Sequence, residues 1–257
     1  MSSIHRRGWL TGAAASAAGF MLTACDRLTQ SAGVQAALAS AEGLTQRTQR
    51  ALIPRAALAP EFGPEDISPD FRANGTRNPQ DPAYVALRDS GFAGYRLVVD
   101  GLVDRPLGLS LAELRALPAR SQITRHDCVE GWSSIGKWTG ARLSAVLQSA
   151  GLKAEARFIV FHCADKLEPT ADESGRYYES IDLDDAFHEQ TILAYDMNDA
   201  PLPVPHGAPV RLRVERQLGY KHAKYVMRIE AVDSLSGLGR GKGGFWEDRG
   251  YEWYAGI

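Results

Sequence analysis

Between Tyr95 and Val232 the chain is written mainly in short runs of β-branched and aromatic residues, each cut off by Gly, Pro, Asp or Ser, and this pattern constrains its fold more than any other feature. Tyr95–Asp100 reads as a strand that turns at Gly101, and Gln122–His126 as one that runs straight into Cys128. Phe158–Phe161 is continuously apolar, the mark of a strand buried on both faces. Thr191–Asp196, Val210–Val214 and Tyr225–Val232 add three more; the second alternates Val, Leu and Val with Arg211 and Arg213, a half-buried strand signature. Helical signals are short and scattered. Ser110-Leu111-Ala112-Glu113 has capping-box spacing, Leu143–Ser149 is closed by Gly151, and Asp182–Phe187 is acid-capped. Strands do not alternate regularly with long helices, so the doubly wound architecture is excluded. The pattern predicts an α+β protein with a mainly β core and short peripheral helices.

The first residues read as an address and not as part of the fold. His5-Arg6-Arg7-Gly8-Trp9-Leu10 is similar to a twin-arginine export signal, and the Ala/Gly-rich stretch Thr11–Leu22 falls short of the length a membrane span needs. Leu22-Thr23-Ala24-Cys25 is similar to a bacterial lipobox, which would leave lipid on Cys25. The expectations are a signal peptide over 1–24, a tether over 25–68 in which a weak helix at Leu28–Leu52 gives way to Pro54, Pro60, Pro64 and Pro69, and a domain over 69–257. Together these predict a periplasmic protein, anchored to the membrane by lipid at Cys25. A formal charge of −2, without a basic stretch interleaved with aromatics, sets nucleic acid aside.

The chain has three cysteines, Cys25, Cys128 and Cys163, and an oxidising compartment leaves few thiols without a role. Cys128 stands where a strand gives way to the polar loop Val129-Glu130-Gly131-Trp132-Ser133. A thiolate at such a place has rigid backbone behind it and open space before it, which suits a metal ligand. Two other readings of these residues stay open: a zinc site built from His126, Cys128, His162 and Cys163, and a Cys128–Cys163 disulfide. Either would stabilise a non-catalytic binding lipoprotein.

Cys128–Ser133, with Trp138 and Gly140 after it, resembles the molybdenum-binding loop of the sulfite oxidase superfamily, in its bacterial periplasmic, sulfoxide-reducing branch. Pro201–Arg211 and Leu218–Lys224 resemble that family's pterin-binding segments, in the family's order. A pterin phosphate asks for fixed cations and open backbone amides, and Arg211, Lys221, Lys224, Gly207 and Gly219 are of the right types. The resemblance implies a molybdenum–molybdopterin cofactor with Cys128 as metal ligand and catalytic centre, and Asn74, Cys163, His206, Arg211, His222, Ala223 and Lys224 as cofactor contacts. It implies two-electron oxygen-atom transfer on a small or peptide-borne oxo substrate, with sulfoxide or N-oxide reduction favoured. His206 stands where sulfite oxidases also have histidine, which keeps sulfite oxidation as the alternative. His126 and Tyr220 are candidate general acids. No Cys-x-x-Cys-His haem signature occurs, so electrons are expected from a separate membrane or soluble haem protein.

The remaining charged groups read as bland. Arg213 and Arg228 are taken as solvated strand residues, and Asp184, Asp185 and Glu189 as a solvated helix face. Arg240–Gly244 lacks Walker spacing; Phe245, Trp246, Tyr251 and Trp253 are expected to pack back onto the domain and to wall the mouth of the site.

Overall fold

The computed structural model describes residues 31–257; Arg6, Arg7, the Thr11–Leu22 stretch and Cys25 lie outside the described residues. Ala32–Leu52 is one helix of 21 residues, rich in the Ala, Gln and Leu that favour that state. Among the described residues no helix is long and apolar enough to cross a membrane. Ile53–Ile257 forms a separate unit.

That unit is built on two sheets of mostly antiparallel strands. The first joins β1 (Leu97–Gly101), β2 (Leu107–Leu109), β5 (Phe158–Lys166), β6 (Arg176–Asp182) and β10 (Val226–Val232) in the order β2-β1-β10-β5-β6; β1 and β10 run parallel. The second joins β3 (Ala119–Asp127), β4 (Ser133–Arg142), β7 (Ile192–Met197) and β8 (Ala200–Pro201), with β9 (Arg211–Arg213) added alongside β7. Leu97, Val99, Phe161 and Ile229 of the first sheet share one buried cluster with Ala141, Leu193 and Leu212 of the second and with Val146 and Leu147 of the helix Leu143–Ala150. Each such side chain contributes roughly 1.5–3 kcal/mol by leaving water. The α+β architecture with a mainly β core is therefore as the sequence pattern implies.

Local rules account for much of it. Ser110 accepts from the Glu113 amide while the Glu113 carboxylate takes the Ser110 amide at 2.8 Å, a complete capping box for the helix Leu111–Ala116. Ile159, Val160 and Phe161 are all buried, as a continuous apolar run requires. Strand β4 lacks a strong β signature because of Gly136 and Gly140, yet Gly140 is what lets β7 approach: a Cβ there would sit 2.3 Å from the Leu193 carbonyl oxygen.

One boundary moves. Residues 53–68, read from the sequence as tether, run along the domain. Phe62 donates to the Ile123 carbonyl at 2.9 Å, Ser68 to that of Ile135 at 3.0 Å, and Ala59 to the Gln190 side chain at 2.7 Å. Prolines forbid regular structure in this segment, but they do not forbid an extended edge whose other amides pair. The ordered unit thus begins at Ile53 and not at residue 69.

Candidate functional site

Strand β3 presents Gln122, Thr124 and His126 inward at every second residue, a buried polar row. Cys128 follows in the same phase at the start of the β3–β4 loop. Its amide donates to the Trp132 carbonyl and its carbonyl accepts from Gly131, both at 2.9 Å, and Gly131 takes the left-handed φ of 84° that closes the turn. Burial pushes the Cys128 thiol up and the Glu130 carboxylate adds to it, while the Glu130 amide, the Arg72 charge and the Asn74 side chain pull the other way.

Asn74 reaches this place through Phe71, which packs edge-on against Trp138 with ring centroids 5.2 Å apart. The Lys224 ammonium then fixes the loop: it donates to the carbonyls of Asn74 (2.7 Å), Thr76 and Pro205 (3.0 Å). Asn74, Cys128, Asp165, Tyr177, His222 and Lys224 line a cleft of about 160 Å³, completed by Val129, Glu130 and Tyr220 and by Trp246 and Tyr251 of the C-terminal segment.

Positive charge gathers behind the cleft. Arg211 is buried, donates to the carbonyls of His206 (3.0 Å) and His222 (3.4 Å), and keeps a buried Nε without a partner. Burial, reinforced by Arg213, lowers its pKa to about 9. Burial and Arg211 likewise lower Lys224 to about 7, and burial raises its neighbour Asp165 to about 6. His222 donates from Nε2 to the Gln217 carbonyl at 3.0 Å in the tautomer that leaves Nδ1 a buried bare acceptor. His126 accepts from Arg213 at Nδ1 (3.0 Å), so its buried Nε2–H has no acceptor. Gly219 sits directly over that atom; a Cβ at 219 would lie 2.5 Å from it. Among the described residues no ion pair joins Arg211 to a carboxylate. Cationic groups that depress one another, beside buried polar atoms without partners, suit the binding of an anion.

The other sequence-derived candidates fall around this cleft in different ways. His206 is half-buried against Phe71, centroids 5.6 Å apart, and touches the site through its carbonyl to Arg211. Ala223 is fully buried and accepts from the Leu212 amide at 2.8 Å, so it contributes backbone position alone. Cys163 lies in the core cluster and is not among the cleft's lining residues.

Several expectations need correction. Cys128 and Cys163 are both free thiols, which removes the disulfide reading. The four-ligand zinc reading fails on geometry: His162 bonds Glu230 at 2.9 Å, Cys163 points into the core, and among the described residues no such metal-binding group assembles. Arg213 is wholly buried, paired with Glu215 and His126. Asp185 is buried too, bonded by Arg216 at 2.7 Å and Gln217 at 2.6 Å. Lys221, expected at the phosphate, is instead locked between Glu179 and Glu247 at 1% exposure. The sequence reading gave Asp165, Tyr177 and Glu130 no role; an acid within the β5 run at 165 was the available signal.

A thiol opening on a cleft beside buried cations is of the right chemistry for a phosphate-bearing cofactor whose metal takes a sulfur ligand. The family model described as oxidoreductase molybdopterin binding domain matches residues 85–237, and the chain belongs to that family. The cofactor is molybdenum–molybdopterin and the chain is a molybdopterin-dependent oxidoreductase. A protein of Azospira oryzae carrying the provisional name protein-methionine-sulfoxide reductase subunit YedZ1 is 35% identical over 92% of this chain and 82% of its own length. The protein-methionine-sulfoxide reductase catalytic subunit MsrP of Campylobacter jejuni is 32% identical over 53% of this chain, which spans about half (48%) of that relative's length. The sulfane dehydrogenase SoxCD of Paracoccus pantotrophus aligns over 55% of this chain and 38% of its own, at 25% identity and a TM-score of 0.48.

Proposed function

We propose that this protein reduces sulfoxides carried on polypeptides, taking electrons from a separate haem protein. The reaction consumes two electrons and two protons, converts the sulfoxide to a thioether and releases its oxygen as water. The bound cofactor supplies the oxygen-atom transfer and the two-electron redox change. Cys128 would provide the protein's sulfur ligand; Asn74 and the Glu130 amide hold that sulfur in place. Arg211, His222 and Lys224 would seat the pterin and its phosphate, with His206 and Ala223 setting the backbone around them.

One observation favours a sulfoxide over sulfite. The exposed residues lining the cleft are Gly75, Val129, Glu130 and Tyr251, none of them cationic. A sulfite dianion would meet the Glu130 carboxylate there as well as the Arg72 charge nearby, whereas a neutral sulfoxide meets no electrostatic penalty. The names of the two relatives, both described as reductase subunits, point the same way and support a partner that delivers electrons. The arginine pair and Cys25 support export and a lipid anchor in the periplasm.

The test is purification from a host that makes the cofactor. The protein should carry near-stoichiometric molybdenum and reduce a blocked methionine-sulfoxide peptide with a reduced dye as donor. Cys128→Ala should lose both. Zinc in place of molybdenum, or sulfite oxidation without sulfoxide turnover, would overturn the reading.

A further inference from the structure

The segment from residue 238 to 257 lies outside the residues that match the family model, yet it supplies Trp246 and Tyr251 to the same cleft as Cys128. The two rings are stacked, with centroids 5.3 Å apart and planes at 27°. Tyr220 meets Tyr251 edge-on at 5.2 Å, and its hydroxyl donates to the Glu252 carbonyl at 2.6 Å. Three aromatic faces therefore border one opening.

This wall is rigidly mounted. On either side of Trp246, Phe245 donates to the Tyr178 carbonyl at 2.9 Å and Glu247 reaches the buried Lys221 ammonium at 2.6 Å. Asp248 accepts from the Tyr178 hydroxyl at 2.7 Å, and Trp253 from further along donates to Ser180 at 2.8 Å. A segment held by these polar contacts, that to Lys221 fully buried and the others partly so, keeps its rings in place before a substrate arrives, so little ordering entropy is lost on binding.

The chemistry of the wall selects. Thioether sulfurs make favourable contacts with aromatic rings, and apolar side chains pack against the same faces. Among the described residues lining the cleft, Lys224 is the cation, and its ammonium is held by three backbone carbonyls. A free amino acid would bring its own carboxylate and ammonium to this mouth in place of the apolar neighbours the rings can hold, and its carboxylate would face Glu130.

We infer that Trp246 and Tyr251, with Tyr220, form a specificity wall that binds the sulfoxide-bearing side chain and apolar neighbours of a polypeptide substrate, and selects against free methionine sulfoxide. This rests on the sulfoxide-reductase reading and assigns its selectivity to a segment beyond the matched domain.

The test measures kcat and KM of the loaded enzyme for an N-acetylated, C-amidated methionine-sulfoxide peptide and for dimethyl sulfoxide, which lacks the side chain and apolar neighbours that the wall would hold. Trp246→Ala should lower the peptide-to-dimethyl-sulfoxide ratio of kcat/KM about five- to tenfold, from the typical strength of one aromatic contact, with the peptide's loss falling on KM. Trp246→Phe should restore most of the ratio. Wild type should prefer the blocked peptide to free methionine sulfoxide, and Tyr251→Ala should narrow that preference. An unchanged ratio in Trp246→Ala, or a change explained by lost molybdenum, overturns this inference alone. A wild type that reduces none of the three sulfoxides overturns the parent reading instead.

Discussion

Replacing Lys221 by Met removes one charge of nearly the same volume from a site with 1% exposure and leaves Glu179 and Glu247, themselves at 0% and 1%, facing each other without a cation. Breaking a buried ion pair from one side costs about 3–5 kcal/mol, because the stranded charge stays desolvated. For a unit of this size that corresponds to a fall in Tm of about 6–20 °C. The cost should depend on pH. Burial, and then Glu247, already pushes the Glu179 carboxyl well up, and loss of the lysine pushes it further. A carboxyl whose folded pKa is raised binds more protons folded than unfolded, so its stability contribution is present at low pH and lost as pH rises. Lys221→Met should therefore be closest to wild type near pH 5 and furthest from it near pH 8. Thermal melts of both proteins across that range, with molybdenum content measured beside them, decide the matter. A loss under 2 °C, or one that is flat with pH, would refute the assignment of Lys221 as the buried clamp of the C-terminal segment.

Other outcomes follow from the same geometry. Arg213→Met should cost about 3–5 kcal/mol by stranding the buried Glu215, and adding Glu215→Leu should recover much of it in denaturant titrations. Gly219→Val should abolish molybdenum retention, because its side chain must occupy the space of the His126 ring, itself held by Arg213; retained metal would show that the ring can yield. His206 is lowered by burial and Arg211 to about 4, and His126 and His222 lie well below their usual value through burial and the arginines. The unfolded chain then binds more protons, so Tm should fall on acidification from about pH 6.5 toward 4, and His206→Gln should flatten that slope.

The fold was more legible than the site, and particular residues show why. Strand β3 and its delivery of Cys128 can be read from seven residues, because inward phase is a local property. Arg213 misled for the same reason: alternation with Val and Leu leaves it reading as solvated, while its burial depends on partners at Glu215 and His126. Residue type alone does not separate Lys221 from Lys224, and only the resemblance singled out Lys224; one meets two carboxylates and the other three carbonyls. Asn74, singled out only by a weak resemblance, is placed beside Cys128 by the packing of Phe71 on Trp138. Long-range partners carried the missing information.

The hold of Lys224 on Asn74 joins positions 150 apart in the chain, and Trp246 borders the same cleft from later still. During synthesis the thiol and the asparagine exist long before the lysine that locks them together. A chain still on the ribosome, or one cut before Lys224, has the sulfur but not the ammonium that pins Asn74 behind it. Loading should therefore wait for that residue, and a product truncated before it should emerge empty even where cofactor is plentiful.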